Sequence, residues 1–505
     1  MSTTQETNIR QSKVVRNLLV ANSSNYVEYF FGLLVSMLIA RSLGPSEFGT
    51  YVFLIWLVSI AVAFANEGLS LSVTKHIAEV RKDKDQPDPS TIIHYFEHNH
   101  RNRILIVMGP LALAAFLNSH WSEYGYQFGA FVTVALAVCF YFRARHMLRV
   151  STFKGQEKFW GVAIGPFMVT PINLISTLVL FYLDAALWMY LLQYLVVSFG
   201  FFVCTRWYLM NKSGYRGKET KNKDHNSYFD RVRTYNRYIT PSAILTYLMA
   251  SQTEIYFLNA FSTSEAVAFF NVGFILATAI ATLVPGIINM VLLPMVSRSM
   301  SQGVSVVRKI VEDTMRYQLF LNFLVIGPTI LYADDVVGFL YGDEYSAAAK
   351  PFLYMVFIYC ASNFVSAFNS YLLSANEHKL IFKVSVIGAI LGIIFDVVLI
   401  YYYGLDGAIV ALGLTMLWYV STRIIPANRR LKAKLPWGHF LLVGAFCAVA
   451  TVAVHFVTNG LGGLLGATIG STIYVALFSA MYYFSPTLPD DGRKYLQYRF
   501  SRNKG

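Results

Sequence analysis

The chain has 505 residues, of which 55% are apolar, 16% aromatic and only 14% charged, whereas a soluble domain carries roughly 25% charged residues. With a mean hydropathy of +0.48, the balance excludes an ordinary soluble protein and indicates an integral membrane protein. A formal net charge of +13 would suggest a nucleic-acid partner in a soluble protein; here it bears on which loops hold the cations, and no nucleic-acid partner is expected.

The opening residues "MSTTQETNIRQSKVVRN" carry charges, but the apolar run after them continues to about residue 40 without an A-x-A-like cleavage site. No removable signal peptide is expected, and the N-terminus is expected to stay cytoplasmic. Runs of about 20 apolar residues, long enough to cross a bilayer as helix, follow at 17–40, 47–70, 103–120, 126–148, 159–183, 185–209, 238–260, 266–296, 315–333, 349–374, 380–403, 405–424, 437–457 and 462–484. The expected fold is therefore an all-α integral membrane protein of about fourteen transmembrane helices. Cys139, Cys204, Cys360 and Cys447 lie in or at the end of these runs without ligand spacing and read as small apolar core residues.

With the N-terminus inside, 39 of the 41 Lys and Arg fall on the cytoplasmic side, and the outside loops hold two, Arg41 and Lys350. One span missed or invented would invert every later loop, so the positive-inside rule supports both the count and cytoplasmic termini. The outside loops are short, lean acidic and have no space for a folded domain. The longest cytoplasmic connection, Asn211 to Arg237, is polar and basic. The expected organisation is an N-terminal lobe at 1–210, a linker at 211–237, a C-terminal lobe at 238–430, and two further spans with a cytoplasmic tail at 431–505.

Sliding the chain against itself by 218 residues lays "LGPSEFGTYVF" (Leu43 to Phe53) on "FSTSEAVAFFN" (Phe261 to Asn271), matching Ser46-Glu47 to Ser264-Glu265 and Tyr51 to Phe269. Span 1 then falls on span 7 and span 2 on span 8. Two pseudo-symmetric six-helix lobes in the same orientation follow, a parallel repeat of the kind transporters use. The second copy lacks counterparts of Gly44, Pro45 and Gly49, so its turn need not share the first one's geometry.

Charges near the bilayer centre cost about 2.5–3.5 kcal/mol on insertion scales. Glu28, Glu254 and Asp396 are deep acids of this kind. Asn25, Glu28, Gly32 and Ser36 follow helical spacing as a polar stripe that cannot face lipid. In the 218-residue register Glu28 falls on Thr246 and Ser36 on Glu254, so each lobe points a polar stripe and one acid toward a presumed cavity. The three acids are candidate coupling sites for H+ or Na+; no other cofactor is expected. His94, His98 and His100 of "HYFEHNH" read as a solvated helix rather than a metal site, and the glycines of "NGLGGLLGATIG" (Asn459 to Gly470) as close helix packing.

"ARSLGPSEFGTYVF", after a polar-faced first helix and before "NEGLSLSVTKHIAEV", resembles the signature of Wzx-type polysaccharide or O-antigen repeat-unit flippases, members of the multidrug/oligosaccharidyl-lipid/polysaccharide (MOP) exporter superfamily. The second-lobe "QTEIYFLNAFSTSEAVAFFNVGF" and "LPMVSR" extend the resemblance along the chain. It implies a transporter, not an enzyme, in a bacterial inner membrane. The implied substrate is an undecaprenyl-pyrophosphate-linked oligosaccharide for surface polysaccharide or lipopolysaccharide, turned from the cytoplasmic to the outer leaflet by alternating access. Membrane lipids, a polysaccharide polymerase and chain-length proteins are implied partners.

A pyrophosphate carried by the substrate calls for cations at the cytoplasmic mouth. Arg143 and Arg145, with Arg149 near them, Lys75 at the end of span 2 and Arg298 at the corresponding end of span 8 are the candidates, since Arg suits phosphate through its bidentate fork. Arg41 is placed to meet the head group outside or to pair with Glu47, and Asn25 to line the cavity. The alternatives are a lipid II-type flippase, a multidrug extruder, and, from another class, a membrane-embedded polymerase or ligase, which generally carries a larger outside loop than the stretch from Asp334 to Lys350.

Overall fold

The computed structural model describes residues 2–80, 87–121, 129–212, 226–250, 252–283, 287–375, 377–458 and 463–485; the side chains of residues 2–22 and Asn25 lie outside the described set, as do the middle of the expected linker and the expected cytoplasmic tail. No strand occurs among the described residues. The chain forms two compact units, Met1–Gln252 and Thr253–Gly505.

The first unit holds α1 (Ser2–Asn66), α2 (Leu69–Val80), α3 (Pro89–Trp121), α4 (Gly129–Gly155), α5 (Phe159–Tyr182), α6 (Leu187–Lys212) and α7 (Asn226–Ala250). α1 is two helices joined at Gly44 (φ 69, ψ 172). Only glycine reaches that backbone cheaply, and Pro45, lacking an N–H and with φ preset, suits the first turn of the helix that follows. A second break comes at Gly68 (φ 73), where an added Cβ would run into the backbone of Thr240 on α7. α7 is held by the same surface: Tyr228 and Val232 are buried with Leu69, Val73 and Ile77 of α2, Ile92, Ile93 and Phe96 of α3 and Leu148 of α4. The expected linker and second lobe divide at 238, whereas α7 groups with the first unit and the compact units divide after Gln252.

The second unit holds α8 (Glu254–Phe261), α9 (Ser264–Leu283), α10 (Ile287–Ser299), α11 (Val304–Tyr341), α12 (Ala349–Ser374), α13 (His378–Phe395), a π-helical turn (Asp396–Ile400), α14 (Tyr401–Leu431), α15 (Trp437–Thr458) and α16 (Gly463–Phe484). The α13–α14 hairpin folds back at Gly404 (φ 55, ψ −126), and Gly407 lies so close to the Leu399 carbonyl that no side chain fits. At its tip Asp406 pairs with Lys350 of α12, 2.7 Å apart. α15 and α16 lie against α11: the Tyr474 hydroxyl donates to the Phe323 carbonyl at 2.9 Å, Tyr332 and Thr458 share a hydrogen bond of 2.9 Å, and Gly327 leaves the space the Tyr474 ring fills.

The 218-residue register extends along the helices themselves. Adding 218 carries the start of α2 at Leu69 to the start of α10 at Ile287. It carries α5, 159–182, onto 377–400, the run of α13 and its π turn, and α6, 187–212, onto 405–430 within α14. The turns differ, as the missing glycines imply: Ser262, at the place of Gly44, has a negative φ (φ −131, ψ −135).

Among the described residues ten helices are long and apolar enough to cross a membrane. Two of them, Tyr26–Asn66 and Lys379–Leu431, contain the bends at Gly44 and Gly404, so the ten cover twelve of the expected spans. The two remaining expected spans, 103–120 and 238–260, are not among the ten, and the count of fourteen is not established. In the second case the reason is visible: the expected helix is interrupted between Ala250 and Glu254.

Candidate functional site

That interruption places a buried acid pair in the second unit. Thr253 occupies the N-cap position of α8 but makes no capping bond; its hydroxyl donates instead to Asp396 Oδ2 at 2.8 Å. Glu254, 5% exposed, and Asp396, 1% exposed, act on each other electrostatically, and Tyr359 of α12 feels the Glu254 charge. Oε2 of Glu254 and Oδ1 of Asp396 are buried without a hydrogen-bond partner. Both acids sit at irregular backbone, one beside the α7–α8 break and one opening a π turn, and π turns gather at functional sites. Two carboxyls buried side by side cannot both stay charged without a proton or a cation between them. Oxygen donors with unused lone pairs suit either.

In the first unit the structure separates the two arginines that the sequence suggests as a pair. Two positions apart on a helix means roughly opposite faces. Arg143 Nε donates to Ser198 Oγ of α6 at 3.2 Å, its guanidinium lies 4.7 Å from the Phe201 ring and 5.1 Å from that of Tyr194, and it acts electrostatically on Glu28 of α1. Glu28 is not covered by protein. Arg145 turns toward α3, where Nη1 meets Glu97 Oε2 at 2.6 Å and the Glu97 carbonyl at 3.0 Å. Arg149 shares Glu97, at 3.5 Å, and donates to the Phe202 carbonyl at 3.1 Å. Arg145 and Arg149 thus tie α4 to α3 and α6.

His100, expected on a solvated helix, is instead fully buried. Burial and the charges of Arg145, Arg103 and Arg149 push its imidazole down to about 3, so it stays neutral. Among the described residues no three His, Cys, Asp or Glu side chains converge as a metal site.

Lys75 lies over the Tyr235 ring at 4.0 Å and 3.9 Å from Glu79. Arg298 is exposed in the last turn of α10, and Arg41 is exposed just before the Gly44 turn. Asn25 belongs to α1, with its side chain outside the described set. Sequence reasoning missed Thr253, Tyr359 and Glu97. The first two come from elements far from Asp396 in the chain, while Glu97 carried a readable signal as an acid one helix before an arginine cluster.

Residues 14–300 match the family described as polysaccharide biosynthesis protein. A relative from Haloferax volcanii, described as probable low-salt glycan biosynthesis flippase Agl15, is 22% identical over 475 residues, covering 93% of each chain. Among solved structures, the lipid II flippase MurJ in an inward closed conformation aligns with a TM-score of 0.71 at 13% identity, covering 92% of this chain and 99% of its own. An inward-facing multidrug resistance MATE family transporter of the MOP superfamily aligns with a TM-score of 0.64 at 11% identity, covering 80% and 94%. The last two establish the shared membrane-transporter fold.

Proposed function

Because the chain belongs to the polysaccharide biosynthesis protein family, we propose that it is a flippase, a transporter rather than an enzyme, which moves an undecaprenyl-pyrophosphate-linked oligosaccharide from the cytoplasmic to the outer leaflet by alternating access. The observation that carries this reading is the end-to-end match to a glycan biosynthesis flippase, spanning 93% of both chains. A bacterial inner membrane, cytoplasmic termini, and a polymerase and chain-length proteins acting on the exported unit belong to the same reading.

Arg143, which acts electrostatically on Glu28, offers the pyrophosphate a guanidinium. Arg145 serves the site through the α3–α4–α6 clamp. Lys75 and Arg298 stand as exposed cations for the approaching head group and Arg41 for its release, with Asn25 on the polar stripe. Glu254 and Asp396 take up H+ or Na+, and Thr253 holds Asp396 in place. Helix interruptions at membrane depth are where transporters seat coupling ions. An inside-negative potential adds about 2.3 kcal/mol per charge per 100 mV to the outward movement of an anion, so coupling and potential act in the same direction.

Deleting the gene and analysing the lipid that accumulates tests this reading. It predicts loss of surface polysaccharide and a lipid-linked glycan retained on the inner leaflet. Normal translocation with unpolymerised units outside would favour a polymerase, and accumulation of lipid II would favour the lipid II-type alternative.

A further inference from the structure

A cavity of about 450 Å³ lies wholly within the first unit, between α2, α4 and α7, lined by Ser70, Thr74, Lys75, Ser151, Lys154 and Tyr235 among others. Its volume falls within the roughly 300–1,000 Å³ typical of ligand sites. Four independent features give it one chemical character. Two ammonium groups stand at it, Lys75 from α2 and Lys154 from the last turn of α4, and Lys154 has no acidic partner among the described residues. The exposed Lys75–Glu79 contact at 3.9 Å is of a kind worth little and yields readily to a stronger anion.

The second feature is backbone. Gly68 (φ 73) ends one helix run, and helical bonding resumes with the Ser72 N–H on the Gly68 carbonyl at 3.0 Å. Leu69, Ser70 and Leu71 therefore begin a new helix, whose first-turn N–H groups lack helical acceptors and favour a negative charge. Third, the Ser70 hydroxyl, in that first turn, is buried without a hydrogen-bond partner. Fourth, α7 fixes the wall: Thr240 packs on Gly68, Arg103 donates to the Thr240 hydroxyl at 3.2 Å, and Tyr235 presents its ring under Lys75.

We infer that this cavity binds a phosphate or diphosphate group, with Lys75 and Lys154 as its charge partners and Tyr235 positioning Lys75. The inference takes up Lys75 from the flippase reading and adds Lys154, Tyr235 and the α2 first turn. The group is one that a polyprenyl lipid or a free anion can supply.

Binding is measured with the purified full chain in detergent, using inorganic pyrophosphate and farnesyl diphosphate as probes. Lys75→Gln and Lys154→Gln should each weaken binding about tenfold or more, equivalent to about 1.4 kcal/mol, while Lys154→Arg retains it. Pyrophosphate binding as tight as that of farnesyl diphosphate assigns the site to a free anion, and tighter farnesyl diphosphate binding assigns it to a lipid head; both support the inference. In wild-type protein, where no variant can misfold, pyrophosphate should protect Lys154 from amine acylation read by mass spectrometry. Lack of protection, or unchanged affinity in the Lys75→Gln/Lys154→Gln double variant at the wild-type melting temperature, overturns it. Such a failure alongside intact glycan-lipid transport removes the cavity site alone; diphosphate binding without transport removes the flippase reading alone.

Discussion

Thr253 and Asp396, 143 positions apart, are joined by a hydrogen bond of 2.8 Å that closes a buried acid pair with Glu254. Losing a donor to a buried acceptor costs about 1–3 kcal/mol. Thr253→Val should therefore lower the melting temperature of the purified protein and weaken ion coupling, while Thr253→Ser should restore both. Glu254→Gln and Asp396→Asn, which keep shape and remove charge, should abolish the dependence of transport on a proton or sodium gradient while lipid binding survives. Wild-type coupling in both would remove the pair from the mechanism.

The arginines of α4 should separate by phenotype. Glu97→Gln leaves Arg145 and Arg149 without their shared carboxylate; breaking a fully buried pair costs about 3–5 kcal/mol, and this partly buried one costs less. The substitution should still reduce folded yield and thermal stability. Arg143→Ala loses a bond to Ser198, ring contacts and an electrostatic interaction with Glu28 but no ion pair, so it should fold and instead raise the apparent KM for the lipid-linked donor. Thermal melts of the two variants beside transport kinetics would expose an error in either assignment.

His100 gives the first unit a pH dependence. Its imidazole is pushed down to about 3 by burial and three arginines, against about 6.5 in the unfolded chain. The neutral form is the folded form, so its contribution is complete above 6.5. As pH falls from there toward 3, the unfolded state takes up a proton that the folded state refuses, and stability drops by up to about 1.4 kcal/mol per pH unit. Melting temperature followed from pH 7.5 to 4.5 should fall less steeply in His100→Gln than in wild type. Parallel curves would show that His100 is not the titrating group.

Two glycines should resist substitution for different reasons. Gly68→Ala meets Thr240 backbone at a left-handed φ, whereas Gly327→Ala meets the Tyr474 ring. Overpacking costs about 1–3 kcal/mol, and the Gly327 variant should be rescued in part by Tyr474→Leu, which makes room. Gly68→Ala should find no such rescue. Melting temperatures of the double variants decide this.

The repeat was legible because Ser46-Glu47 and Ser264-Glu265 mark equivalent turns, and the same shift of 218 carries the start of α2 at Leu69 to the start of α10 at Ile287. Helical geometry also fixed in advance that Arg143 and Arg145 face apart, a reading that their shared charge obscured. The Glu254–Asp396 pair was legible only as two isolated acids: the contact depends on how α8 meets the α13–α14 hairpin, and "IIFDVVLI" offers no polar neighbour to hint at it. The grouping of α7 with the first unit was hidden because its basic, polar composition reads as a linker, while the buried Tyr228 and Val232, with Tyr235 and Thr240, dock it on the first unit.

The central claim is most directly tested by reconstituting the full chain in liposomes that carry an undecaprenyl-pyrophosphate-linked oligosaccharide and following how much glycan a membrane-impermeant glycosidase can reach. The account predicts that glycan moves between leaflets only in vesicles containing the protein, faster under an imposed ion gradient, and more slowly with Arg143→Ala. Accessible glycan that stays the same as in protein-free vesicles, with the protein folded and the gradient intact, would contradict it.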